Sequence, residues 1–393
     1  MTVLVYLIFF LFSLGNIGRL SFVGQQINIY LYEVLLAIYL LLLFWKYRLV
    51  PLKETYKKYK SIFIFLAILL LSYLLSLTSF SLSQNLISLL YFVRLTFYSF
   101  IFFYLVWLVV DIPTVNKKLT SGLIFFSLLT LIFSLVQYFL YPDLRNLFYL
   151  GWDPHLYRAF GLYLDTSIAA AIYGIILLFL LINIRKIKLA KYLKLALIVA
   201  YSLLGLLTYS RGFYLAILLT LIIYLISLRK YLYTVFLLLT FFCLLFFLPK
   251  KFGEGVNLLR TFSIVSRIQE NKTAITIWQK NPIFGIGYNR IRYEKERLGL
   301  LTEENTDISH SAASFPSSFL IILTTGGIIG LLSLVWVLLD LARISQTASL
   351  LIIFTSIFSL YDNILLHPFT LFLLFVILSI ERRVFNYRRS NSP

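Results

Sequence analysis

Four arginines and one histidine stand out by residue type and by position. Arg211 lies in Thr208-Tyr209-Ser210-Arg211-Gly212-Phe213, squeezed between two apolar runs. So little chain remains for a connection that a tight turn must hold the guanidinium at a membrane face. Arginine stays charged, and its planar fork grips phosphate through paired hydrogen bonds. Arg260 and Arg267 are seven residues apart. On a continuous helix they would share nearly one face, two turns apart, a spacing able to grip both phosphates of a diphosphate. Arg290 and Arg292 follow closely and make that spacing less specific. His310, in Asp307-Ile308-Ser309-His310-Ser311, carries a side chain that accepts a proton near neutral pH, as a general base must. Arg94 falls about six residues inside an apolar run, about 9 Å deep at helical rise. A charge at that depth is costly and marks a candidate for function. Each residue also has a plainer alternative. Arg211 and Arg94 could snorkel to the interface, the Arg260–Arg267 pair could line a solvated loop, and His310 could be an ordinary interfacial side chain. His155 and His367 compete with it.

The elements that must position these residues follow from composition. The chain has 393 residues, 61% hydrophobic and 13% charged. Soluble domains run near 45–50% apolar and about 25% charged, so a soluble enzyme, a disordered chain and a nucleic-acid-binding domain are excluded. Unbroken apolar runs, rather than alternation, exclude a membrane β-barrel. The pattern predicts an all-α integral membrane protein with about twelve spans. They fall at roughly 2–14, 29–45, 61–79, 88–110, 119–140, 162–183, 193–209, 213–228, 232–248, 317–341, 347–361 and 366–380. The chain then divides into nine spans with short loops (1–248), one large polar segment (249–316), three more spans (317–380) and a basic tail (381–393). The first span lacks the basic leader and small-residue cleavage site of a signal peptide and is read as retained.

Loop charges give the orientation. With the N-terminus inside, the inner segments 46–60, 111–118, 184–192, 229–231, 342–346 and 381–393, with their flanks, hold twenty of the Lys and Arg residues. Among the short outer loops only Arg19, Arg145, Arg158 and Arg211 occur. That bias places both termini in the cytoplasm. The net charge of +19 therefore reflects topology rather than a nucleic-acid partner. The segment from Pro249 to Pro316 is too long to vote on orientation and is expected outside and partly helical. Within it, Ile264, Ile268, Ile275 and Trp278 suit one side of a helix lying on the membrane surface.

Several chemistries find no support. One cysteine, Cys243, permits no intramolecular disulfide, and one Cys with three His make a zinc site improbable. Gly285-Ile286-Gly287 lacks the third glycine and the flanking units of a dinucleotide fingerprint. The first outer loop, Gly15–Ile29, has no acidic pair for a divalent metal. No metal or other cofactor is expected.

Four segments, taken in order, resemble the O-antigen ligase family, whose relatives include O-antigen polymerases and bacterial protein O-oligosaccharyltransferases. They are Arg158-Ala159-Phe160-Gly161-Leu162 leading into a span; the Ser210-Arg211-Gly212 turn; Arg267 followed by Trp278 and Asn281-Pro282-Ile283-Phe284-Gly285-Ile286-Gly287; and His310-Ser311 followed by Gly326-Gly327-Ile328-Ile329-Gly330-Leu331-Leu332. The detailed likeness covers roughly residues 155–340. Phe315-Pro316, between His310 and the Gly-rich stretch, departs from the family pattern.

The resemblance implies a metal-independent, inverting glycosyltransferase of GT-C-like architecture with one large periplasmic loop. Its donor would be a glycan on undecaprenyl diphosphate, and its acceptor the lipid A–core oligosaccharide at the outer face of the bacterial inner membrane. By similarity, Arg211 and Arg267 correspond to diphosphate-binding arginines and His310 to the general base. Arg260, Arg158 and Arg94 are the further candidates for holding the diphosphate. A polymerase of the same family and, from another class, a lipid-linked glycan flippase are the competing readings.

Overall fold

A computed structural model describes residues 2–150, 152–187, 189–249, 254–258, 261–301 and 313–390. Each of the twelve apolar segments forms a helix. In chain order the helices are α1 (Thr2–Ser13), α2 (Leu31–Tyr47), α3 (Val50–Tyr56), α4 (Lys60–Leu75), α5 (Leu82–Asp111), α6 (Pro113–Leu140), α7 (Thr166–Asn183), α8 (Lys191–Leu207), α9 (Arg211–Ser227), α10 (Tyr231–Phe247), α11 (Phe262–Lys280), α12 (Ile291–Arg297), α13 (Ser318–Ala342), α14 (Gln346–Phe358) and α15 (Pro368–Ser390). Among the described residues, α5, α6, α7 and α13 are long and apolar enough to cross a membrane. The bent pair α2–α3, turning through 91°, makes a fifth candidate. The remaining apolar helices are shorter, at 10–17 residues.

The loop between α1 and α2 departs from the all-α expectation. Arg19–Phe22 (β1) and Ile27–Tyr30 (β2) pair antiparallel, Arg19 opposite Tyr30 and Phe22 opposite Ile27. The turn Val23-Gly24-Gln25, all at positive φ, folds the two strands back so that their backbone groups satisfy one another.

Helix α7 forms the centre. Its small residues, Ala169, Ala170, Ala171 and Gly174, lie wholly buried, and a Cβ on Gly174 would run into Phe354 of α14 and Phe213 of α9. Small side chains let helix backbones approach closely where lipid supplies no hydrophobic driving force. Around it α7 packs on α8, α14, α15 and α9; α1 on α6; α4 on α13; and α5 on α15. By contrast α10 buries no residue, as expected of a helix facing lipid.

One break anchors the α11–α12 connection. Helix α13 is interrupted at Gly327, whose φ of 65° and ψ of −168° are not helical. The loop after α11 inserts there. Ile286 N donates to Thr324 O at 3.0 Å, Gly287 N to Thr325 O at 3.0 Å, and Ile328 N to Pro282 O at 2.9 Å. Ser72 Oγ of α4 caps Thr325 O at 2.6 Å. Backbone groups freed by a broken helix must find partners, and this loop supplies them. Gly285 (φ 68°) and Gly327 are glycines because a Cβ at either would overlap the opposing backbone. The Pro282–Gly287 run singled out in the sequence is thus a clamp that fixes the C-terminal end of α11 to the bundle.

Candidate functional site

Helix α8 ends at Leu207 and α9 begins at Arg211, so the connection is as tight as the sequence required. Tyr209 takes a left-handed φ of 51°, and Ser210 caps α9 by accepting from Phe213 N. Arg211 therefore occupies the first turn, half-buried, with Nη1 donating to Leu258 O at 3.3 Å. Gly212 has a separate reason. A Cβ there would come within 3.2 Å of Tyr361 Cβ, so its absence lets this end of α9 close on the turn after α14.

That turn carries the partner of the second arginine. Arg267, on the first turns of α11, donates to Tyr361 O and forms an ion pair with Asp362, Nη2 to Oδ2 at 2.9 Å. Gly212 packs against Tyr361 and Arg267 donates to the Tyr361 carbonyl, so two arginines from segments 56 residues apart in the chain meet the same turn; burial, and then the charge of Arg267, lower the Arg211 pKa. Ser167 Oγ donates to the same Asp362 Oδ2 at 2.8 Å. Beside it Asp165 caps α7, accepting from Ser167 N at 2.7 Å and Ile168 N at 3.0 Å. Asp165 precedes the helix, although the sequence reading had placed it within a span. Burial, together with the carboxylates of Asp362 and Asp153, pushes its carboxyl up to about 6.

Arg158 lies behind the α8–α9 turn. It is buried, Nε donates to Thr208 O at 2.7 Å, and Nη1 lies 3.4 Å from His155 Nδ1. Its backbone neighbour Ala159 N donates to Leu207 O at 2.9 Å. In this arrangement Arg158 braces the turn that presents Arg211. Arg94 lies elsewhere, with its fork taken by Glu33 of α2 at 2.6 and 2.8 Å. Tyr98 donates to the same carboxylate at 2.5 Å. The charge at depth in α5 is thereby neutralised in place. Arg260 and His310 lie outside the described residues; α11 begins at Phe262, after Arg260. The chain resumes at Ala313, and Ser317 Oγ then donates to Ser359 O at 2.9 Å, on the same turn that bears Asp362. His367 starts α15, its Nδ1 accepting from Phe369 N at 3.4 Å.

Of the apolar stripe on α11, Ile264 and Ile268 are exposed and Ile275 and Trp278 only half-buried. The wholly buried residues are instead Ala274 and Ile277, in the packing of α11 on α13. Lys295 of α12 ties this segment down. It is buried, paired with Glu270 at 2.6 Å, bonded to Ser314 O at 3.2 Å, and 4.5 Å from the Phe315 ring. Burial lowers its pKa against the opposing pull of Glu270. Phe315-Pro316, the departure from the family pattern, thus belongs to a packed re-entry into α13.

Sequence reasoning missed Asp362, Ser167 and Asp165. Asp362 is the one Asp, Glu, Lys or Arg between Arg343 and Glu381, a signal that could have drawn attention to it. Nothing local points to Asp165, an ordinary helix cap by its sequence.

The fold and site define a multi-pass helical membrane protein with two arginines and a carboxylate gathered where helix ends meet. Residues 196–335 match the family model Wzy_C, described as O-antigen ligase, the family that the four segments resemble. The match opens in α8, closes in α13 and includes Arg211, Arg267 and the Pro282–Gly287 clamp. It supports glycan transfer of the ligase or polymerase type. No curated relative matches the chain.

Proposed function

We propose that the protein is an O-antigen ligase. It would transfer a glycan from undecaprenyl diphosphate to a hydroxyl of the lipid A–core oligosaccharide, at the periplasmic face of the inner membrane, with both termini in the cytoplasm. The observation that carries this reading is the meeting of Arg211 and Arg267 at one turn, inside the matched segment. Asp362 offsets one of the two like charges, and a diphosphate is an anion that both guanidinium groups could share.

In this reading the acceptor hydroxyl attacks the anomeric carbon as the bond from that carbon to the phosphate oxygen breaks. The bonding pair leaves with the diphosphate, and the hydroxyl proton passes to His310. Attack opposite the leaving group inverts the anomeric centre. Arg211 and Arg267 stabilise the charge that grows on the departing phosphate, which is the role a metal ion would otherwise fill. Asp362 holds the Arg267 fork in place, and Arg158 braces the Arg211 turn. Arg260 is a further diphosphate contact in this proposal. Arg94, already satisfied by Glu33, contributes by ordering the outer ends of α2 and α5.

The lipopolysaccharide banding pattern of a deletion strain tests the proposal. Loss of all polymer-bearing bands, with polymer accumulating on its lipid carrier, is the expected result. Bands carrying a single repeat would identify a polymerase instead, and an unchanged pattern would remove both.

A further inference from the structure

A second site lies at the other end of α11. A cavity of about 340 Å³ opens between the C-terminal end of α4, the α4–α5 connection, the α11–α12 connection and α12. Its polar lining includes Ser76, Ser79, Lys280, Asn281, Glu294 and Arg297. Lys280 stands thirteen residues beyond Arg267 on one helix, about 20 Å away at helical rise. The cavity is therefore not part of the arginine site, though α11 joins the two.

Its walls are rigid. The Pro282–Gly287 clamp forms one side, pinned to α13 and α4 by the hydrogen bonds described above. The other is held by Arg290, which is fully buried. That guanidinium donates to Asn85 Oδ1 at 2.5 Å and to Ser76 Oγ, and lies over the rings of Tyr73 at 4.5 Å and Phe80 at 4.8 Å. Ser76 and Phe80 both line the cavity. Preorganised walls of this kind are what a binding site requires.

The lining chooses among ligands. A lipid chain would leave Lys280, Glu294 and Arg297 facing hydrocarbon, at large cost. A phosphate would find the two cations of the wall already paired with the buried Glu294 carboxylate. That side chain is only 1% exposed and is held between Lys280 at 3.4 Å and Arg297 at 2.9 Å. A sugar fits both halves of the wall. Its hydroxyls can donate to the Asn281 amide oxygen and the Ser79 hydroxyl and accept from the amide and cationic groups, while its C–H faces can rest on Phe80, Pro282 and Ile283. The volume lies within the usual range for small-molecule sites. We propose that this cavity is a distal saccharide subsite, which holds a glycan several sugar rings away from the diphosphate gripped at Arg211 and Arg267. The proposal rests on the glycan-transfer reading and adds to it a measure of chain length.

The test uses the full-length protein in nanodiscs. One arm follows Trp278 fluorescence, because Trp278 Nε1 bonds to Pro282 O at 3.1 Å on the cavity wall. The probe is the oligosaccharide released by mild acid from the strain's own polyprenyl-linked glycan. The other arm compares transfer from a donor bearing one sugar with transfer from the full-length donor. Saturable quenching is expected, absent from Trp278→Phe and weakened at least tenfold by Arg297→Ala and by the cavity-filling Ser79→Tyr. Both of these variants should lower transfer of the long donor at least tenfold more than transfer of the one-sugar donor. Wild-type quenching that both variants retain would overturn the subsite, as would equal losses with the two donors. If the variants lose binding while even the wild type transfers nothing, the subsite stands and the ligase reading falls. If the wild type transfers glycan but binds no oligosaccharide, the reverse holds.

Discussion

Replacing Asp362 by Ala separates positioning from stability. The side chain makes the 2.9 Å pair with Arg267 and accepts from Ser167 at 2.8 Å. Arg267 is 37% exposed at its side chain and Asp362 20%, so water screens the pair and its own contribution to folding is about 0.2–1 kcal/mol. The Ser167 hydroxyl left behind adds about 1 kcal/mol at most. Together these should lower Tm by only a few degrees, roughly 2–4 °C per kcal/mol in larger chains. Function is more exposed to the loss. Among the described residues Arg267 is held by Asp362 and by Tyr361 O, and removing one hold lets the fork swing. A donor aimed at developing charge is worth about 2.7–4 kcal/mol, or a hundred- to thousandfold, and losing part of its aim should cost about ten- to hundredfold. The assay is glycan transfer in membranes at matched protein levels, with Tm measured on the same preparations. Asp362→Asn keeps an acceptor for both neighbours and should fall between wild type and Asp362→Ala. Near-wild-type transfer by Asp362→Ala would refute the positioning argument; so would a loss of transfer matched by a collapse in Tm.

Gly327→Ala should fail to accumulate, or melt well below wild type, because its Cβ would overlap Ile283 O in a backbone that L side chains rarely adopt; Gly299→Ala, with open space around it, controls for glycine substitution, and equal thermal stability of the two would contradict the clamp. Asp165 is held near 6 in the fold against an ordinary 3.8, so the folded state binds more protons than the unfolded one between those values, and thermal stability should decline as pH rises from about 4 to about 6 and then level off. Asp165→Asn keeps a capping side chain and should flatten that decline, whereas an identical profile would show that another group titrates. Arg211→Ala, Arg211→Lys and His310→Ala should each insert normally and lose about a hundredfold or more in transfer; His367→Ala should remain active, and full activity in His310→Ala would move the base to His155.

Much of the site could be read before the fold was known, and the reason differs by residue. Arg211 was legible because two apolar runs met with nothing between them, which forces a turn whatever the rest of the chain does. Arg267 was visible as a charge in the polar segment, but its direction was not, because Asp362 lies 95 residues later in the chain. Arg158 and Arg94 were noticed for their charge. Their surroundings, Thr208 O for one and Glu33 for the other, turned out to satisfy them within the protein. The glycines of Pro282–Gly287 and Gly326-Gly327 were matched as motifs, yet their purpose emerged only when the two stretches were seen interlocked.

The sequence by itself determined that this chain is helical. Hydrocarbon leaves a spanning backbone no partner but itself, so long apolar runs can only be helical; among the described residues four became helices long and apolar enough to cross a membrane, five with the bent α2–α3 pair, and the other apolar helices are shorter. Tertiary structure alone decided which helix ends meet, and with them the pairing of Arg267 with Asp362, the Asp165–Ser167 support, the hairpin at Arg19–Tyr30 and the sealing of the α13 break by a loop from outside the helix. Those outcomes depend on contacts between residues far apart in sequence, whose preference for one another leaves no periodic trace along the chain.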